Sequence, residues 1–327
     1  FATSLLYGMT GTLNFAYLSR SIATATPNYW LYLVVAMTIV GCGIKAAIVP
    51  FHTWLPDAHP EAPSSVSALL SGILIACGVY GLSRIILLTF NYTVFQWGIA
   101  IMVLSIITMT VGNFMALLQN DLKRLLAYSS IAQMGYIIAG LSLGTEWGLT
   151  GSILHIFNHA LMKGLAFLCA GAFIYRVETR DLNELEGIGR RMPISTFTLV
   201  IALLALLGTP SLNGFVSKLI LVLSAINSVA YPLAIIIVLN SVLSAAYYLR
   251  IIQKLMSTKP TDKILHAKEA PLTMLIPMCA MAFLIMLFGI WPDPLITLAN
   301  NAAVAALDIQ RYTNAIITAI GCVAQHS

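Results

Sequence analysis

Three lysines stand where lysines are costly. Lys45, Lys163 and Lys218 each lie inside a long apolar run, whereas none of the twelve Asp and Glu residues does. An ammonium held in apolar surroundings costs on the order of 3 kcal/mol or more, and membrane proteins keep one mainly where it lines an ion or substrate path. Desolvation also turns such a group from a permanent charge into one that loads and unloads a proton. Lys163 has company, because His155, His159 and Lys163 are spaced i, i+4, i+8. That spacing stacks them on one helix face over roughly 12 Å at 1.5 Å per residue, a ladder of three titratable groups. The plainer readings are a lysine that snorkels to a headgroup, a histidine satisfied in a core and, for the histidine pair, half of a metal site. The segment reads HIFNH without the glutamate of HExxH, and no carboxylate in an apolar run offers a further ligand. Neither a metal nor a cofactor is expected.

Two of the lysines sit beside sequence that interrupts a helix. Lys218 follows Gly208-Thr-Pro210-Ser-Leu-Asn-Gly214-Phe-Val-Ser217, where Pro210 lacks a donor and the two glycines weaken what surrounds it. Lys45 lies between Gly41, Gly43 and Pro50. Broken helices at membrane depth are tolerated where they are buried or line a wet cavity, and freed carbonyls there orient water and lysine donors. The two lysines could be counterparts in two structural repeats, although the two segments share little sequence. The loop that follows, from Pro50 through His52, Asp57, His59 and Glu61, is dense in prolines and titratable groups; it reads as a cytoplasmic funnel or, equally, as a proline-rigid turn with solvated side chains.

The elements that position these groups are membrane helices. Of 327 residues, 59% are apolar and 9% charged, which leaves too little polar surface to cover a water-soluble protein of this size. Windows of about 20 apolar residues place eight spans near residues 31–50, 66–90, 93–118, 127–144, 148–175, 194–222, 228–256 and 272–290. Residues 1–15 read as the tail of a span that begins upstream, and 293–327 as an interfacial helix with a short tail. Alternate loops carry Lys123, Arg124, Arg176, Arg180, Arg190, Arg191, Arg250, Lys254, Lys259, Lys263 and Lys268, against Arg84 alone in the others. The loops at 51–65, 119–126, 176–193 and 257–271 accordingly face the cytoplasm. The five cysteines, Cys42, Cys77, Cys169, Cys279 and Cys322, are scattered singly and read as small buried hydrophobes. The net charge of +5 belongs to these loops and does not point to nucleic acid.

Three long segments carry a family likeness: Lys45-Ala-Ala-Ile-Val-Pro-Phe-His-Thr-Trp-Leu-Pro-Asp-Ala-His-Pro-Glu-Ala-Pro-Ser-Ser65, Asp121-Leu-Lys-Arg-Leu-Leu-Ala-Tyr-Ser-Ser-Ile-Ala-Gln-Met-Gly-Tyr136 and His155-Ile-Phe-Asn-His-Ala-Leu-Met-Lys-Gly-Leu-Ala-Phe-Leu168, followed by Gly214-Phe-Val-Ser-Lys218. Together they resemble the antiporter-like, proton-translocating subunits of respiratory complex I, membrane-bound hydrogenases, formate hydrogenlyase and Mrp sodium/proton antiporters, with wording nearest the hydrogenase and Mrp branch. The resemblance implies an all-α polytopic membrane bundle of about fourteen helices with two inverted five-helix repeats, each holding one broken helix. On that pattern residues 1–91 end the first repeat, 92–257 form the second, and 258–327 are a C-terminal helix and tail. Lys45 would be the central lysine of the first repeat, Lys218 the terminal lysine of the second, and His155, His159 and Lys163 the bridge. Two departures follow: the family's glutamate partner of the first lysine lies on a helix before residue 1, and the family's lysine near Ala76 is absent, leaving water, Ser71 and Tyr80 as carriers toward His155.

The expected function is H⁺ or Na⁺ translocation in the inner membrane, within a redox complex that includes further antiporter-like subunits. The energy would come from those partners, since the sequence holds no nucleotide loop, flavin motif or cluster ligands. The rivals are a stand-alone cation/proton antiporter component and a non-pumping structural subunit.

Overall fold

The computed structural model describes residues 1–258 and 261–324. Among them sixteen α-helices follow one another: α1 Ala2–Thr10, α2 Phe15–Ala23, α3 Tyr29–Lys45, α4 Trp54–Glu61, α5 Ser64–Leu69, α6 Ile75–Thr89, α7 Tyr92–Phe95, α8 Trp97–Leu117, α9 Leu122–Ser142, α10 Glu146–Val177, α11 Pro193–Leu207, α12 Asn213–Asn227, α13 Tyr231–Leu255, α14 Leu272–Ile290, α15 Asp293–Leu307 and α16 Ile309–Ala324. A π-turn at Leu70–Leu74 joins α5 and α6 into one rod, Ser64–Thr89. That rod, α8, α9, α10, α13 and α14 are long and apolar enough to cross a membrane, which makes the chain a multi-pass membrane protein. Side-chain caps explain several starts: Asn28 accepts from Leu31 N, Asp121 from Arg124 N and Thr145 from Gly148 N.

The structure corrects the expected spans at four places. The helix expected over 31–50 ends at Lys45, and a turn containing Ala47 at positive φ and a cis Val49–Pro50 bond leads into α4. The span expected over 194–222 is two helices, α11 and α12. The Asp121 cap starts α9 five residues before the expected 127. Beyond residue 292 there are two helices rather than one, and α15 packs along α10, where Thr150 Oγ1 donates to Asn300 Oδ1 at 3.1 Å. Lys259, counted among the cytoplasmic charges, and the tail at 325–327 lie outside the described residues, as does the side chain of Cys322. Of the other cysteines only Cys169 is buried; Cys77 and Cys279 are exposed on the flank of the bundle and Cys42 is half-buried.

Burial runs against hydropathy. The least hydropathic of the six spans, α9, has its whole apolar window buried, and the most hydropathic, α14, is mostly exposed to the surroundings. A helix carrying Ser129, Ser130, Gln133 and Tyr136 has polar atoms that lipid cannot satisfy, so it sits at the centre, whereas Leu- and Met-rich α14 loses nothing at the periphery. Close approach makes that centre tight: a Cβ on Gly112 of α8 would lie 2.6 Å from the backbone nitrogen of Ala132 on α9. At the basic end, Arg180 clamps three segments, pairing with Asp121 at 2.6 Å and Glu61 at 3.8 Å and donating to Pro60 O at 2.9 Å.

Candidate functional site

The site begins with a vacancy in the backbone ladder of α11. A regular helix would have Leu206 accept a hydrogen bond from residue 210, but that residue is Pro210 and has no N–H. Gly208 ends α11 in the left-handed region at φ 92°, and Ser211 also turns at positive φ. The freed Leu206 carbonyl is taken by two side chains, Lys218 Nζ at 2.8 Å and Gln133 Nε2 at 3.3 Å; Lys218 also donates to Leu207 O at 3.1 Å. The ammonium lies 4.7 Å from the ring centroid of Tyr136. Gly214 is not part of the break, as the sequence reading had it. It falls in the first turn of α12, where any Cβ would overlap the carbonyl oxygen of Ala205, so its role is to let α12 approach α11.

From Gln133 the line continues to His155, whose Nε2 lies 2.8 Å from Gln133 Oε1 and whose Nδ1 lies 2.8 Å from Ser217 Oγ. With the Gln133 amide donating to Leu206, its oxygen must accept, which puts the neutral imidazole proton on Nε2 and makes Nδ1 the acceptor for Ser217. Ser217 Oγ also reaches Gly214 O at 3.2 Å and receives Asn158 Nδ2 at 3.2 Å. The hydroxyl can therefore turn between His155 and Gly214, and a charged imidazole would find an acceptor at the same atom.

One turn along α10, His159 is buried, and neither of its ring nitrogens meets a partner among the described residues. A further turn along, Lys163 is buried, donating to Leu126 O at 2.9 Å and to Ser129 Oγ. The same Leu126 carbonyl accepts from Ser130 Oγ at 2.9 Å, and Ser130 Oγ lies 2.6 Å from Ser71 Oγ. Ser71 sits within the π-turn, an irregularity that often marks functional positions. Thus Ser71, one of the two expected carriers, connects to Lys163, while Tyr80 does not: it is 61% exposed on the flank. Lys45, at the last turn of α3, is exposed and takes no part in these bonds.

The expected funnel residues divide. Asp57 is exposed and paired with Arg124 at 2.9 Å, and Glu61 is exposed beside Arg180, so both serve a surface clamp. His52 is half-buried, its Nδ1 meets no partner among the described residues, and burial lowers its pKa. His59 is fully buried and stacked on Phe167 at 4.5 Å between centroids, with both nitrogens unpartnered among the described residues. Burial, and after it the nearby ammonium groups of Lys163 and Lys123, lower its pKa to about 3. Lys123 Nζ donates to Ala62 O at 2.6 Å and lines a cavity of about 610 Å³ with Glu61, Ser64 and Ser65 at the basic end.

Sequence reasoning missed Ser129, Gln133, Tyr136, Ser217 and Lys123 as members of the site. The first three recur at i, i+4 and i+7, one face of a helix, and that spacing in an apolar span was the available signal. Among the described residues, no group of three or more His, Cys, Asp or Glu is arranged to hold a metal ion.

A broken helix with a lysine at the break, facing a buried histidine and lysine row, defines a polytopic membrane protein with titratable groups at its centre. Residues 1–244 match the family model described as NADH:quinone oxidoreductase/Mrp antiporter, TM, and the chain belongs to that family. It is 32% identical over 315 residues to F(420)H(2) dehydrogenase subunit N of Methanosarcina mazei, covering 93% of this chain and 63% of the relative. It is 39% identical over 219 residues to hydrogenase-4 component B of Escherichia coli, covering 62% and 33%. Among solved structures, a chain of the Mrp complex from Dietzia sp. DQ12-45-1b superposes with TM-score 0.89 at 25% identity over 96% of this chain and 66% of that one. A chain of the membrane-bound sulfane sulfur reductase, an archaeal respiratory membrane complex, gives 0.87 at 29% identity, covering 96% and 63%. The chain thus spans less than two thirds of the length of these relatives.

Proposed function

We propose that the protein is a proton-translocating membrane subunit of a redox-driven complex, working beside other antiporter-like subunits in the cytoplasmic membrane. The observation that carries this is the buried row Lys163, His159, His155 and Lys218, closed at one end by a helix break whose free carbonyl binds the lysine. On this reading protons reach His59 from the cavity beside Lys123, pass to Lys163 and the two histidines, and leave by Lys218. A charge gained or lost about 8 Å away changes the next group's proton affinity by roughly 2 kcal/mol at an effective dielectric near 20, enough to pass a load onward. The row offers ammonium, imidazole, amide and hydroxyl groups with no carboxylate, a set suited to H⁺ rather than Na⁺. The two interrupted helices, one after Lys45 and one before Lys218, support inverted repeats divided near residue 91 and again near 257.

The test is proton pumping by the intact complex in proteoliposomes carrying Lys218→Met, with the redox reaction followed in parallel. The proposal expects pumping to be lost together with coupled turnover. An unchanged proton-to-electron ratio would make the chain a spacer in its complex.

A further inference from the structure

Beside the buried row one hydroxyl is left uncommitted. Tyr248 of α13 is fully buried, its ring centroid 4.4 Å from that of Tyr247. Its hydroxyl is flanked by the side chains of Ser129, Gln133 and Tyr247, yet it closes a hydrogen bond with no partner among the described residues. A buried, unbonded phenol is costly, so its position calls for a reason. Tyr247 does not supply it. Its own hydroxyl donates to Asn113 Oδ1 at 2.8 Å, and Asn113 Nδ2 donates to Asn240 Oδ1 at 2.9 Å, a fixed clasp between α8 and α13. The other two neighbours belong to opposite halves of the row. Ser129 Oγ accepts from Lys163 Nζ and donates to Leu126 O at 2.9 Å, whereas Gln133 Oε1 lies 2.8 Å from His155 Nε2. His159, between Lys163 and His155 on α10, bonds to neither. Tyr248 thus stands against both halves.

A phenol has one proton to donate, and the charge on Lys163 decides where it goes. With Lys163 charged, the ammonium occupies a lone pair of Ser129, and its field turns the phenol proton away, toward Gln133 Oε1. There it competes for the oxygen that His155 Nε2–H needs. With Lys163 discharged, the Ser129 hydroxyl turns to the neutral amine and leaves its own lone pairs open to Tyr248. Gln133 Oε1 is then free for a charged imidazole, which gains most from an undivided acceptor. We propose that Tyr248 is a positioning residue, its hydroxyl alternating between Ser129 and Gln133 so that His155 loads as Lys163 unloads. This rests on the proton-path reading above and adds to it what keeps the two groups from being charged together. No proton leaves the phenol; only its direction changes.

The test uses the full-length protein in its assembled complex. Tyr248→Phe removes a hydroxyl that bonds to nothing in the resting fold, so the melting temperature should stay the same or rise. Coupled turnover in proteoliposomes should nevertheless slow about fivefold, the weight of one ordinary hydrogen bond. The second readout is infrared difference spectroscopy between the resting complex and the complex in turnover, with ring-deuterated tyrosine placed at position 248. The phenol C–O stretch moves when the hydroxyl changes acceptor. The proposal expects a shifted band that vanishes in Lys163→Met, where no charge comes and goes. A band that does not shift, or that shifts equally in Lys163→Met, overturns it, and a lowered melting temperature with an unshifted band makes Tyr248 a packing residue. Wild-type turnover in Tyr248→Phe, when Lys218→Met abolishes pumping, overturns this inference and leaves the proton-path reading standing. Normal pumping by Lys218→Met overturns both.

Discussion

Ser217→Ala isolates one step of the proposed relay. In the neutral state His155 Nδ1 accepts from Ser217, and in the charged state it must donate to the same oxygen, 2.8 Å away, while the hydroxyl proton turns to Gly214 O at 3.2 Å. The alanine variant leaves Asn158 Nδ2 bonded to Asn213 O at 2.8 Å, so little else is orphaned. What is lost is one hydrogen bond to a charged donor, worth roughly 1.5–3 kcal/mol, against about 1 kcal/mol for its neutral counterpart. The difference, about 0.5–2 kcal/mol, falls on the charged imidazole and slows any transfer through it by roughly 2- to 30-fold at 1.4 kcal/mol per decade. Ser217→Thr keeps the hydroxyl and restores most of the rate. The assay is dye-reported proton uptake by the complex in proteoliposomes, normalised to redox turnover. Alanine and threonine variants that pump at equal rates would refute the switching hydroxyl and reduce Ser217 to packing.

Gly214→Ala places a methyl inside the radius of the Ala205 carbonyl oxygen and should cost about 3 kcal/mol or more, read as a lowered melting temperature and poor assembly. His59, with its pKa lowered to about 3, stays neutral in the fold while the unfolded chain binds a proton below about 6.5. The unfolded state therefore holds more protons between these values, and stability falls as pH drops through that window by up to roughly 1.4 kcal/mol per unit. Melting curves at pH 7 and pH 5 should show that loss, and His59→Gln should make it smaller, the buried His155 and His159 keeping their own share. Breaking the Asp57–Arg124 pair, whose side chains are 70% and 44% exposed, should cost under about 1 kcal/mol in a double-mutant cycle and leave pumping intact.

Charge placement made much of the fold legible: few charges, most of the cations in alternate loops and three lysines inside apolar runs point to a polytopic bundle and to Lys163 and Lys218, which the structure buries, while Lys45 is exposed. The exceptions have physical causes. The window over 194–222 registers apolar content and runs straight across the turn at 208–212. The starts of helices depend on caps such as Asp121, which hydropathy does not sense. The site residues on α9 are uncharged, so a search for charges in apolar runs passes over Gln133 and Ser129, although their helical spacing was readable. Lys123 was counted as one more cytoplasmic cation because sequence does not show that its chain folds back beside a buried imidazole.

Pro210 shows why the break and the relay are one feature. A helix continued through 208–212 would spend the Leu206 carbonyl on its own ladder, and neither Lys218 nor Gln133 could bond it. Removing one N–H from the ladder leaves an acceptor buried at depth, and that acceptor is satisfied only if polar side chains converge on it. Lys218 comes from the following helix and Gln133 from the central one, so satisfying a single carbonyl brings the terminal ammonium within one amide of His155. The cost of breaking the helix and the cost of burying the lysine are thus each offset by the other, and either change alone would leave an unpaired polar group in the bilayer.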